Sequence, residues 1–436
     1  MPGAEPGRRR AAARIDPEPG TWDALVVGGG PAGSAAAARL ARLGHRVVVF
    51  EKATHPRFHI GESLLPFTMD AMRRIGFDRS LESAGFTPKH GATFVLADGR
   101  QEHTFFFADG LVPDVPRAFQ VLRSRFDSLL LEHSRASGAE VRQGHHVVDV
   151  DTSVREPIAT IRTSDGRTYA VRGRFVVDAT GQDALMARRR SLICPDRRLR
   201  KVALFAHYVG ATRDVGRASG DTVSVVIRDG WIWFIPLEND IASIGVVVDG
   251  RTFNAAGRSG EAYFEELLDR VPAISWRLGH ATRISPVHAT GDFSYTTSAM
   301  TGSNWLLAGD AGFFLDPIFS SGVHLAITSG VAAADAIHDR LTARLARGAF
   351  ARYERQVRRT QKLYQAFIAG WYRPGFQDLL LTPSPRVGLV QAVTSALAGA
   401  PTTWKVFWRL HLFMLLARLN GVVPLVPRDE RRHLPP

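Results

Sequence analysis

Only five of the 55 basic side chains in this 436-residue chain are lysines, so wherever a positive charge alone is wanted the sequence uses arginine. Lys89, in Phe86-Thr-Pro-Lys89-His-Gly91, is therefore a candidate for chemistry that a guanidinium cannot perform. Arginine stays protonated, whereas a desolvated ammonium can lose its proton and act as a nucleophile or as a tuned hydrogen-bond donor. The competing reading is a surface lysine in a turn. A second pair with chemical meaning is Trp231 and Trp233 in Gly230-Trp-Ile-Trp-Phe-Ile-Pro236. Side chains alternate along a strand, so both indoles point to one face and build a rigid apolar wall. Alone, two such residues would be core aromatics of a sheet.

The elements that must position these groups begin near the amino terminus. Ala24-Leu-Val-Val runs into Gly28-Gly-Gly30-Pro31-Ala32-Gly33, an alanine-rich segment follows from Ser34 to Leu43, and a second apolar strand, Arg46 to Phe50, ends at Glu51. This is a complete βαβ unit. Gly28 permits the tight turn, Gly30 lets the backbone approach a pyrophosphate, and Gly33 allows helix and sheet to pack. The anion sits at the helix N-terminus, where free N–H groups and the dipole favour it. Glu51 lies 23 residues after Gly28, where a carboxylate can accept hydrogen bonds from ribose hydroxyls. A bound dinucleotide follows.

Trp305-Leu-Leu-Ala-Gly309-Asp310-Ala311 is an apolar strand and turn that can aim an aspartate at a ribityl chain, and paired with the glycine motif it resembles the FAD-binding monooxygenase superfamily. Two more segments are similar to that superfamily. Val121-Leu-Arg123-Ser-Arg-Phe-Asp127 resembles its helix whose arginine approaches the flavin, and Val176-Val-Asp178-Ala-Thr-Gly181 resembles its second strand and turn beside FAD. Lys52, following Glu51, is counted with the cofactor-binding residues on the same resemblance.

Three further segments narrow the family. Pro56-Arg-Phe-His-Ile-Gly61-Glu62-Ser63-Leu-Leu-Pro66, the tryptophan box and Asp316-Pro-Ile-Phe-Ser320-Ser321-Gly322-Val-His324 together look like the flavin-dependent halogenases, from about Trp22 to about residue 345. The shorter chains of that family, acting on phenols and pyrroles, are the most similar. The tryptophan halogenases carry a glutamate where this sequence has Phe319, which argues against free tryptophan as substrate. The resemblance implies that hypohalous acid is made at reduced FAD from O₂ and chloride or bromide, with the halide beside Ser321 and Gly322. The acid then passes the indoles to Lys89, which forms a haloamine or orients the acid by a hydrogen bond, and an electron-rich aromatic ring takes up the halogen.

Trp231 and Trp233 would keep flavin and substrate apart, catalysing neither reaction. Glu62 and Ser321 join Lys89 as catalytic candidates; Glu62 orients Lys89, helps place the halide turn or caps a helix beginning near Ser63, and sequence leaves the three open. His59, His90 and His324 lie close enough to motifs to accept the proton lost from the ring, though each is also an ordinary structural histidine. No general base is assigned. With no second Gly-x-Gly-x-x-Gly, no NAD(P)H domain is visible, so a separate flavin reductase is the expected partner. The alternatives within the superfamily are an aromatic hydroxylase and a prenyl-chain reductase.

Composition bounds these readings. A hydrophobic fraction of 45% and a charged fraction of 22% belong to an ordinary globular protein, and no run of 18 uncharged apolar residues exists to span a bilayer. Val406 to Val426 comes nearest and reads as a buried C-terminal helix, with a membrane-surface anchor as the other reading. Cytoplasmic localisation is expected. The net charge of +13 is scattered, with no nucleic-acid or metal signature, and could instead steer an acidic partner such as a carrier protein bearing the substrate. Cys194, the single cysteine, excludes an internal disulfide framework and reads as a small apolar residue.

The expected architecture is α/β. Residues 1–21 form a disordered tail, and a discontinuous Rossmann-like FAD-binding domain of the monooxygenase type takes 22–95, 120–190 and 298–345. An inserted antiparallel β-sheet substrate domain takes 96–119 and 191–297. The helical C-terminal region, 346–436, should break at Pro374, Pro383 and Pro385.

Overall fold

The computed structural model describes residues 17–426 apart from 101, 197, 292–293, 343–347, 383–387 and 402. Residues 1–16 of the expected tail, and the expected breaks at Pro383 and Pro385, lie outside the described residues. Order begins before Trp22, because Pro17 bridges Ala170 of the first sheet.

That sheet is built on parallel strands Glu140–Gln143, Val47–Glu51, Trp22–Val27 and Thr168–Asp178, with Trp305–Leu307 added on the far side of the last. The runs Ala24–Val27 and Val47–Glu51 are buried throughout, as strands covered on both faces require. Helix Pro31–Arg42 crosses over between the first two strands; its leading proline is preorganised for a first turn. Its alanines admit the long helix Gly322–Leu341, and a Cβ at Gly330 would overlap the Ala32 carbonyl. Thr168–Asp178 serves two pairings: its first five residues pair antiparallel with Ile158–Thr163, which pairs in turn with His145–Asp151.

The second sheet runs Thr282–Arg283, Lys201–Val209, Ile241–Asp249, Gly230–Pro236, Thr222–Ile227, Gly91–Leu96, Glu102–Phe106, with His288–Gly291 also on Lys201–Val209. It is mixed rather than antiparallel throughout, because Thr222–Ile227 lies parallel to Gly91–Leu96. Gly91–Leu96 therefore belongs to this sheet, and the expected flavin-domain segment 22–95 runs across the junction. Alternation divides the tryptophan strand between two cores: Trp231, Trp233 and Ile235 join the cluster shared with the first sheet, while Ile232 and Phe234 join a second cluster beneath Gly260–Arg270 and Pro272–Leu278.

The C-terminal region is helical: Ala349–Trp371, Pro374–Leu381, Leu389–Leu397 and Trp404–Val422. The expected break at Pro374 is present, with the proline opening a helix where its missing N–H costs nothing. The last helix buries only one face, through Val406, Leu410, Phe413, Ala417 and Asn420, while Trp404, Leu415, Leu419 and Val422 are exposed. Cys194 is exposed on the short strand Ile193–Pro195 rather than packed as an apolar residue.

Candidate active site

A cavity of about 830 Å³ lies between the two sheets, within the range of small-molecule sites, and touches the glycine loop, the Gly61 segment, the tryptophan strand and the Asp316–Gly322 turn. At its phosphate end Gly28 adopts φ +103°, and a Cβ there would overlap the Ala179 carbonyl oxygen. A Cβ at Gly33 would overlap the Gly28 carbonyl, so this glycine is fixed by packing. At Gly30 nothing lies nearer such a Cβ than Arg57 Nη2 at 3.6 Å, leaving the loop open to an incoming phosphate at the start of Pro31–Arg42. Pro31 and Ala32 line the same end.

Glu51 has two tasks. Its Oε2 accepts the Gly29 N–H at 2.7 Å and its Oε1 the Ala53 N–H at 2.9 Å, pinning the glycine loop while the carboxylate borders the cavity. Lys52 pairs with Asp183 at the cavity mouth. Arg123 makes a bidentate pair with Asp127 at 2.7 and 2.8 Å, and its Nη1 donates to the Ile60 carbonyl at 2.6 Å, which fastens the Pro56–Pro66 segment. Arg123 thus holds the loop beside the cavity as well as lining it. Gly309, with φ +60°, turns the chain so that Asp310 faces the cavity, where burial pushes its carboxyl up to about 7. This donor set, with an open glycine loop and an acidic turn, fits FAD.

The Asp316–Gly322 turn is braced from both sides. Asp316 accepts the Ile318 N–H at 3.1 Å and, through its other oxygen, the Tyr372 hydroxyl at 2.6 Å. Phe319 sits in an aromatic cluster with Phe94, Phe367 and Trp371. Ser320 takes φ +53° and faces the cavity with Gly322, whereas Ser321 is buried at 1% exposure and its side chain does not line the cavity. Ser321, expected with Gly322 beside the halide, precedes the first residue of the long helix, whose N-terminal N–H groups favour an anion near Gly322.

Trp231 and Trp233 line the cavity with ring centroids 5.7 Å apart. Trp233 is locked by an N–H donated to Ser243 Oγ at 3.1 Å and by Gly245, where a Cβ would overlap the indole. Gly245 pairs directly opposite Trp233 on the adjacent strand.

Lys89, 1% exposed, ends the strand Thr87–Lys89, which pairs with Ala118–Gln120. Its ammonium donates to Ser63 Oγ at 2.8 Å and reaches the Leu64 carbonyl at 3.4 Å, with the Phe107 ring 5.3 Å away. Burial lowers its pKa to about 8, against a smaller upward pull from Asp221. Asp221 Oδ1 takes the His90 and Gly91 N–H groups, both at 2.7 Å. Lys89 is thus no surface lysine.

Glu62 does not orient Lys89. Its Oε1 bonds His207 Nε2 at 2.8 Å, its Oε2 has no partner among the described residues, and both oxygens are buried beside the cavity. Nor does it cap a helix, since the next one begins only at Thr68 with no side-chain cap. The histidines separate similarly. His59 bonds the Ile60 carbonyl and is lowered to about 4 by Arg123 and burial; His324 bonds Thr68 Oγ1 and is lowered to about 4 by burial. Neither is a ready proton acceptor near neutrality. Sequence reasoning missed Ser63 as a partner of Lys89, together with Thr222, Gln120 and Tyr372, because these contacts join segments distant along the chain, and it missed Gly245, which faces Trp233 across neighbouring strands.

Comparison with known proteins agrees with this geometry. Residues 21–365 match the family described as FAD binding domain. A flavin-dependent halogenase of Armillaria mellea is 38% identical over 346 residues, which are 73% of this chain and 68% of that protein. The chain belongs to the flavin-dependent halogenases. A 1H-pyrrole-2-carbonyl-(peptidyl-carrier protein) chlorinase of Pseudomonas fluorescens is 31% identical over 392 residues, 84% of this chain and 87% of that one. The solved structure of the myxobacterial chondrochloren halogenase CndH superposes with a TM-score of 0.77 and 30% identity, covering 91% of this chain and 98% of its own. The flavin-dependent halogenase described here is accordingly an FAD enzyme of the oxidoreductase type. Among the described residues no helix is long and apolar enough to cross a membrane.

Proposed function

We propose that this halogenase makes hypohalous acid in the flavin cavity and transfers the halogen through Lys89 to a phenol or pyrrole, the latter carried on a peptidyl-carrier protein, in cytoplasmic natural-product biosynthesis. When bound in its reduced form, FAD supplies the electrons that activate O₂ for halide oxidation. Gly28, Gly30 and Gly33 shape its phosphate site, with Glu51, Arg123 and Asp310 along its length. The helix end at Gly322 receives the halide, and the side chains of Trp231 and Trp233 exclude the aromatic substrate from the flavin.

The observation that carries the reading is a buried amine, lowered to about 8, bonded to a serine that lines the flavin cavity. A neutral amine reacts with hypohalous acid to give a haloamine and water: the N–X bond forms, the O–X bond breaks, and the amine proton leaves with the hydroxide. Arginine could not do this at any ordinary pH. The haloamine then passes X⁺ to an electron-rich ring carbon, which loses its proton and returns the amine. Support for a carrier-bound pyrrole comes from the Pseudomonas relative and the net charge of +13, suited to an acidic carrier. A separate reductase supplies reduced FAD.

The test supplies reduced FAD from a partner reductase with mixed chloride and bromide, and offers pyrrole-2-carbonyl on a carrier protein beside free phenols. Mass spectrometry is expected to find halogen only in products formed with halide present. An oxygenated product that ignores halide would instead indicate an aromatic hydroxylase.

A further inference from the structure

The chain that joins Lys89 to the cavity holds more hydrogen-bond donors than acceptors. Lys89 Nζ donates to Ser63 Oγ at 2.8 Å, and Ser63 Oγ lies 3.0 Å from Thr222 Oγ1. At the other end Gln120 Nε2 is 2.9 Å from both Thr222 Oγ1 and the Gly220 carbonyl. Because a carbonyl only accepts, the Gly220 contact fixes the amide with its nitrogen toward Thr222, so this end donates too. Lys89, as ammonium or amine, keeps N–H bonds to donate. Two hydroxyls thus stand between two donors, and a single proton suffices for the bond between them. With the Lys89 lone pair absent in the ammonium or kept for the halogen in the amine, one O–H is left over, whichever way the pair is oriented.

Among the described residues neither hydroxyl has a further acceptor within hydrogen-bond distance, which leaves the surplus donor to the cavity. Ser63 and Thr222 both line the cavity, although each is only 4% exposed, while Lys89 lies behind them and does not. The strand carrying Thr222 places Ser224 on the same face, directly opposite Trp233. The apolar wall of Trp231 and Trp233 therefore has a polar seam beside it, which leads to the amine.

We infer that Ser63 and Thr222 form a binding site for hypohalous acid, donating one hydrogen bond to its oxygen and holding it against the wall within reach of the Lys89 amine. The inference rests on the proposed role of Lys89. In an otherwise apolar wall, the spare O–H discriminates for a small acceptor such as this neutral acid. Donation to its oxygen also assists departure of hydroxide when the amine takes the halogen. Neither single substitution removes the site: without Thr222 the hydroxyl of Ser63 is spare, and without Ser63 that of Thr222 is spare.

The experiment oxidises reduced FAD on the enzyme in air with bromide and no aromatic substrate. Monochlorodimedone in solution traps acid that escapes; after desalting, protein-bound oxidant is titrated with thionitrobenzoate. Wild type is expected to retain oxidant that K89M does not. S63A/T222V should retain about fivefold less than wild type, the worth of one ordinary hydrogen bond, with escaped acid rising correspondingly, and should fall below S63A and T222V, each of which keeps one hydroxyl in the site, and below T222S, which keeps both. FAD content of each purified protein controls for folding, and S63A/T222A replaces the double variant if valine is not accommodated. Equal retention by the double variant, or the full loss in S63A alone, would overturn the site and leave Lys89 standing. If wild type retains no more than K89M, the proposed role of Lys89 itself falls.

Discussion

The account makes its sharpest demand on the pH dependence of Lys89. Only the neutral amine has a lone pair for the halogen, so retention should follow its fraction. With the pKa lowered from its ordinary 10.5 to about 8 by burial, about one-tenth of the amine is neutral at pH 7 and about nine-tenths at pH 9. An unperturbed lysine would be neutral at pH 7 in only about three molecules per ten thousand, so the pocket raises the supply of reactive amine about 300-fold. The perturbation is a pH series from 6 to 10 on wild type and K89M, read as protein-bound oxidant. K89M sets the background, and expressing bound oxidant as a share of bound plus monochlorodimedone-trapped oxidant removes whatever pH dependence belongs to flavin oxidation. Retention is expected to rise about tenfold between pH 7 and 9 and then level. K89R, permanently charged, should match K89M. A flat profile, a fall through pH 8, or substantial retention by K89R would refute the nucleophilic role and favour a charged donor.

Other consequences follow from packing. G33A places a methyl on the Gly28 carbonyl and is expected to purify with most of its flavin absorbance lost; normal FAD content would show that the loop can shift. G245A drives a methyl into the Trp233 ring and should keep FAD while raising escaped acid severalfold, and unchanged escape would mean that the exact seat of this indole does not matter. Y372F removes the 2.6 Å hydrogen bond to Asp316 at the turn proposed to receive the halide. A halide KM raised about fivefold, with FAD affinity unchanged, is expected from the loss of about 1 kcal/mol of support, and an unaltered halide KM would separate the turn from halide binding.

Much of this was readable before any fold was known, for reasons that differ by residue. The glycine loop is legible because each glycine answers a local steric need, and the structure gives Gly28 and Gly33 close neighbours and Gly30 none. The tryptophan pair is legible because alternation is a property of any strand, and the two cores divide the strand accordingly. Lys89 stood out through scarcity of its type, and its burial follows from pairing with Ala118–Gln120. Glu62 shows where such reasoning stops. Three tasks stood open for it from sequence, yet Ser63 bonds Lys89 while Glu62 bonds His207, 145 positions away. The parallel pairing of Gly91–Leu96 with Thr222–Ile227 was hidden by the long connection that it requires.

The most direct test of the central claim is a single pair of reactions with reductase-supplied reduced FAD and carrier-bound pyrrole-2-carbonyl, one with bromide and one without halide. Wild type should give a product bearing the bromine isotope doublet in the first and none in the second, while oxygen is consumed in both. Formation of an oxygenated product at equal rates with and without bromide would contradict the account.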